Sequence, residues 1–131
     1  MLNKRHLLAG LAVAVAMAVS APLAALDKAP FDAKAFEAAQ ATGKPILLEV
    51  HASWCPICKA QTPILARLSS TPKFQDMVRF NIDFDTQKDL LRKFNVQKQS
   101  TLIAFKGKQE VARSTGDTDA GSIERLLDKS I

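Results

Sequence analysis

Hydrophobic and polar positions follow three rhythms along this 131-residue chain, and each rhythm predicts a different kind of segment. Val78, Phe80, Ile82 and Phe84 alternate with Arg79, Asn81, Asp83 and Asp85, a period of two that predicts a strand with one buried face. Ile46 to Val50 is a nearly continuous apolar run, which predicts a strand over Ile46 to Ala52. Thr101 to Phe105 and Glu110 to Ser114 read as two further strands joined by a hairpin turn at Lys106-Gly107-Lys108. Helical spacing appears over Phe31 to Ala41, with Asp32 as N-cap and Thr42-Gly43-Lys44-Pro45 as the stop. It returns over Pro56 to Ser70, where Ile57, Ala60, Ile64, Leu65 and Leu68 are expected on the inner side. Shorter helical stretches follow over Thr86 to Phe94 and over Thr118 to Lys129, the last burying Ile123, Leu126 and Leu127.

The third rhythm is no alternation at all. Leu7 to Val19 is apolar apart from Gly10, follows the basic head Lys4-Arg5-His6, and leads into small residues through Ala25. This is the three-part pattern of a secretory signal peptide. Its apolar run is shorter than the roughly 20 residues a membrane span needs. Residues 1–25 are therefore expected to be a signal peptide, or else an uncleaved N-terminal anchor, and 26–131 a single domain facing an oxidising, periplasmic space. A β-α-β unit followed by a hairpin and a closing helix makes that domain an α/β layered fold.

Charge narrows the partners only a little. The whole chain carries +5, and residues 26–131 hold sixteen Lys and Arg against thirteen Asp and Glu, too mild an excess to point to nucleic acid. The two cysteines say more. Both fall in Trp54-Cys55-Pro56-Ile57-Cys58, three residues apart, so on a helix their sulfurs share a face and can close and reopen a disulfide. Pro56 suits the first helical turn, which puts Cys55 at the helix N-terminus, where free amides and the macrodipole favour a thiolate. Cys55 is the expected nucleophile, with an accessible sulfur, and Cys58 the shielded resolving thiol. A zinc site would need four ligands, and only His6, His51 and carboxylates stand beside the cysteines. Covalent haem needs histidine after the second cysteine, where the chain has Lys59. A static disulfide across two residues would stabilise little.

On these landmarks, together with Pro63, Gly116 and the strand Thr101 to Phe105, the chain resembles the thioredoxin-like superfamily over residues 31–131. It looks most similar to small extracytoplasmic members such as the C-terminal domain of DsbD and the Tlp-type proteins. The resemblance implies a thioredoxin fold, with a central mixed four-stranded sheet flanked by helices. It also implies a thiol:disulfide oxidoreductase, more reducing than oxidising, that acts on protein disulfides as a monomer. Such a protein needs no cofactor beyond its redox-active Cys55–Cys58 pair and no metal, and would draw electrons from a membrane thiol conduit. A thioredoxin-like binding module, holding a client or a metal through the dithiol without turnover, is the alternative.

The resemblance also assigns roles around the pair. Glu49, six residues before Cys55, corresponds to a buried acid beneath the resolving cysteine; in an apolar setting it would shuttle the Cys58 proton, and a rim-exposed or paired glutamate is the competing reading. Trp54 and Pro56 would form a substrate platform, with Gln99, Ser100 and Thr101 offering groups to an extended substrate. His51 shares strand parity with Glu49 and, with Lys59, would tune the thiols. Ser100 departs from the pattern, since the family has a cis-proline there. A trans bond or rearranged loop is expected, with Ser100→Pro tolerated in folding.

Overall fold

The computed structural model describes residues 28–131; the expected signal segment lies outside them. A five-stranded mixed sheet runs through the domain in the order β1-β3-β2-β4-β5. The strands are β1 (Ala29–Pro30), β2 (Pro45–His51), β3 (Val78–Asp83), β4 (Thr101–Lys106) and β5 (Gln109–Thr115). β1 and β2 both lie parallel to β3, while β2–β4 and β4–β5 are antiparallel. The fold is a thioredoxin fold of the α/β class, with one strand more than expected. The addition is β1, two residues pairing Ala29 with Phe80 and Pro30 with Asn81, too short for any periodicity to announce.

Among the described residues, four α-helices cover the sheet: α1 (Ala33–Ala41), α2 (Pro56–Ser69), α3 (Lys88–Lys93) and α4 (Ala120–Asp128). Asp32 caps α1 through its carboxylate, which accepts the Ala35 amide at 2.7 Å, and Asp119 caps α4 through the Ser122 amide at 2.7 Å. Side chains alternate across each strand, so the two faces bury different sets. Ile46, Leu48, Val50, Phe80, Ile82, Ile103 and Phe105 pack with Phe36 of α1 and Leu91 of α3. On the other face, Leu47, Leu102 and Ala104 pack with Leu65 and Leu68 of α2 and with Ile123, Leu126 and Leu127 of α4.

Helix α2 is rotated from its expected setting. Its buried residues are Cys58, Gln61, Leu65, Leu68 and Ser69, while Ile57 is 41% exposed and Ala60 faces solvent. Positions 58, 61, 65 and 68 form one continuous stripe at helical spacing. That stripe turns the second cysteine inward with the leucines, at the cost of burying the polar Gln61.

Candidate active site

The dithiol sits where β2 ends and α2 begins. Cys55 is the N-cap residue of α2, extended at φ −85° and ψ 111°, and Pro56 occupies the first helical position. The Cys55 sulfur accepts the backbone N–H of Cys58 at 3.1 Å, in the place an N-cap oxygen usually takes. One turn along, the Cys58 thiol lies 3.9 Å from the carbonyl of Val50. Burial, then a hydrogen bond with Cys55, pushes the Cys58 thiol above the ordinary cysteine value, while the backbone at Ala52 and Ser100 pulls the other way. Cys58 is shielded from solvent, at 2% exposure.

Cys55 is also fully buried, which corrects the expectation of an accessible sulfur. Ala52, Cys55 and Cys58 form a small apolar cluster with Phe84 packed against it. Trp54 meets that phenylalanine edge-on, with ring centroids 6.4 Å apart, and its indole N–H donates to both oxygens of Asp85, at 3.0 and 3.2 Å. Asp85 is itself placed by its backbone, since the amides of Asp85 and Thr86 donate to the Asp83 carboxylate at 2.8 and 3.0 Å. Neither Phe84 nor Asp85 stands out in the sequence, where both read as the tail of an alternating strand. The available signal was a second acidic residue just past the strand, beyond any ladder partner.

Trp54 remains 55% exposed, and with Ile57 it supplies two of the three large exposed apolar side chains among the described residues. An apolar platform thus borders the dithiol. Pro56 and Lys59 are exposed beside it. His51 is half-buried near the β2 end; burial and then Lys28 hold its imidazole below the ordinary histidine value, against the opposing charges of Glu49 and Asp83.

Glu49 is buried, at 4% exposure, yet its setting is ionic rather than apolar. Arg79 of β3 donates to both carboxylate oxygens, Nε to Oε2 at 2.8 Å and Nη2 to Oε1 at 2.9 Å, while its Nη1 reaches the Ser69 hydroxyl at 2.9 Å. Arg79 itself is 7% exposed. Two charges buried together in fork geometry compensate each other's lost hydration. The premise of an isolated acid in an apolar pocket is therefore overturned. The missed partner was readable only as a basic residue on the strand beside Glu49.

The Ser100 loop departs further from expectation. Every peptide bond among the described residues is trans, and Ser100 takes φ +60°, a left-handed conformation uncommon for a residue with a side chain. Its N–H donates to Val50 O at 2.8 Å, and its carbonyl accepts the Gly116 amide at 3.0 Å. Proline holds φ near −65° and has no N–H. Ser100→Pro is thus incompatible with this loop, and its expected tolerance is corrected. The Ser100 hydroxyl donates back to the Gln99 carbonyl, and the Thr101 hydroxyl points to the Lys98 carbonyl at 2.7 Å and to Thr115 at 3.0 Å. The side chains of Ser100 and Thr101 serve the loop, so any contact they offer a substrate is through the backbone.

The described residues bring together no group of three His, Cys, Asp or Glu side chains able to hold a metal, and no helix among them is long and apolar enough to cross a membrane. The thioredoxin family profile covers residues 27–129. The chain belongs to the thioredoxin family. It is 33% identical over 86 residues to thioredoxin Asp f 29 of Aspergillus fumigatus, covering 65% of this chain and 78% of that one. It is 35% identical over 96 residues to the bifunctional thioredoxin reductase/thioredoxin of Mycobacterium leprae, spanning 73% of this chain but only 21% of that protein. Among solved structures, Trxlp from Edwardsiella tarda superposes with a TM-score of 0.74 at 42% identity, covering 77% of this chain and 98% of that one. As a thioredoxin, the protein is a thiol-disulfide oxidoreductase, and its Cys55 and Cys58 lie close together at the start of α2.

Proposed function

We propose that this thioredoxin is a periplasmic reductase of protein disulfides. The observation that carries the reading is the asymmetry of the two sulfurs: Cys55 caps the helix and accepts an amide, while Cys58 lies a turn further along α2, facing Val50 O, with its thiol raised above the ordinary cysteine value by burial. Cys55, as thiolate, attacks one sulfur of a substrate disulfide; the S–S bond breaks, a mixed disulfide forms, and the released thiolate takes a proton. Cys58 then loses its proton and attacks the Cys55 sulfur, which closes the Cys55–Cys58 disulfide and frees the second substrate thiol. The substrate gains two electrons and two protons. An outside dithiol must return the electrons, and a membrane thiol conduit fits a reductant working in an oxidising space.

Residues 1–25 act in this reading as the export signal, cleaved or retained as an anchor, and the mature domain works as a monomer. Trp54 and Ile57 form the apolar platform on which a substrate settles, with Gln99 to Thr101 bordering it. Cys55 is buried, so the site opens before the sulfur is reached, and the Trp54–Asp85 hydrogen bond is the contact expected to loosen. Reduction of insulin by dithiothreitol tests the activity, with a rate well above the uncatalysed one expected and a rate equal to it refuting turnover. Fusion of residues 1–30 to a reporter active only after export tests the location.

A further inference from the structure

Gln61 is a buried polar residue on α2 whose chemistry neither packing nor the disulfide exchange explains. It sits three residues after Cys58, on the same face, at 3% exposure, in a stripe otherwise completed by Leu65 and Leu68. A leucine would fill such a place without the desolvation cost of an amide. Its side-chain nitrogen donates instead to two carbonyls far away in sequence, Ser100 at 3.1 Å and Asp117 at 2.9 Å. One amide thereby ties the dithiol helix to the loop before β4 and to the turn after β5.

Ser100 makes that tie consequential. A left-handed residue with a side chain persists where its surroundings over-determine it. Here the Ser100 N–H goes to Val50 O, and its carbonyl receives both the Gly116 amide and Gln61. Val50 O is the same atom that the Cys58 thiol faces at 3.9 Å. The shared carbonyl thus seats the loop directly beside the dithiol.

We propose that Gln61 is a positioning residue for protein substrates: its carboxamide clamps the Ser100 loop and the Asp117 turn against the dithiol helix, so that an extended disulfide-bearing segment meets Cys55 in register. The inference rests on the reductase reading above. A small disulfide that touches only the sulfurs has no need of the clamp.

Gln61→Met keeps the length of the side chain and removes both donors. With insulin as substrate, kcat/KM should fall by about ten- to a hundred-fold, chiefly through KM, while reaction with the small disulfide 5,5′-dithiobis(2-nitrobenzoate) should stay within about twofold. A merely structural glutamine would lower both rates together or neither, and either result overturns the proposal. If the methionine variant fails to fold, Gln61→Glu replaces it, compared with wild type at pH 5 and pH 8. The new carboxyl keeps one donor when protonated and none when ionised, so the insulin-to-small-disulfide ratio should be lower at pH 8. An equal ratio at the two pH values overturns the clamp. Wild-type protein inactive on insulin would remove the reductase reading instead. In that event the Gly116 amide, expected to exchange hydrogen faster in Gln61→Met than in wild type, still decides the clamp, and unchanged exchange refutes it.

Discussion

Under α1 and α3, Phe31, Phe36, Phe80, Phe94 and Phe105 meet mostly edge to face in an apolar cluster, whereas under α2 the same sheet buries Glu49 and Arg79 as a pair and Gln61 as a clamp. The first face holds the domain together by area removed from water and by ring geometry. The second must also fix a helix end, a loop and a turn around two sulfurs, and directional bonds do that better than apolar contact. Stability and precision are divided between the two faces.

That division is open to direct attack. Breaking the buried pair with Glu49→Gln leaves the Arg79 guanidinium poorly compensated and should cost about 3–5 kcal/mol of stability, read by denaturant unfolding. Replacing both residues with leucine should recover most of that loss. A proton-shuttling Glu49 makes the opposite demand, an intact fold with release of the mixed disulfide slowed by about 10²–10⁴-fold, so single-turnover kinetics beside the unfolding curve separates the two roles.

At the Ser100 loop, Ser100→Pro forces φ away from +60° and removes the backbone N–H that bonds Val50 O, for an expected loss of about 2–4 kcal/mol. Ser100→Gly, free to adopt that φ, should stay within about 1 kcal/mol of wild type. Equal tolerance of both changes would show that the loop is not held as described. Next in size, Asp85→Ala should release the Trp54 indole and speed alkylation of Cys55 by several-fold while hardly moving the unfolding midpoint. An unchanged alkylation rate would mean that the Trp54–Phe84 contact closes the site unaided.

The smallest effect concerns His51. Its folded-state value lies below the ordinary ~6.5, so its contribution is present above that pH and is lost as the pH falls through the lower folded value. The charges acting on it are Lys28 and Lys59, which lower it, and Glu49 and Asp83, which raise it. His51→Gln should therefore flatten the acid limb of the stability profile below about pH 6.5. An acid limb identical to wild type would place the imidazole outside this balance.

Legibility in the sequence followed the same divide. The apolar face was readable because period-two and period-3.6 patterns report burial directly: Phe80, Ile82 and Ile123 all lie where their spacing puts them. The cysteine pair was readable because its spacing is chemical. What escaped was polar burial. Gln61 interrupts an apolar stripe and so pushed the expected inner face of α2 toward Ala60 and Ile57, and Arg79 sits in a polar register that normally means solvent. A hydropathy pattern cannot tell a buried, fully bonded polar side chain from an exposed one; only the partner across the fold distinguishes them. β1 escaped for a different reason, having only two residues.

Order of attack by the two sulfurs is the most direct test of the site. Each cysteine is replaced in turn by serine, the protein is mixed with a disulfide-bonded substrate, and covalent mixed disulfides are counted on non-reducing gels. Stable trapping by Cys58→Ser and none by Cys55→Ser is the expected result, because attack begins at the helix-capping sulfur and release requires the second one. Equal trapping by both variants, or trapping by Cys55→Ser alone, would contradict the assignment of Cys55 as nucleophile.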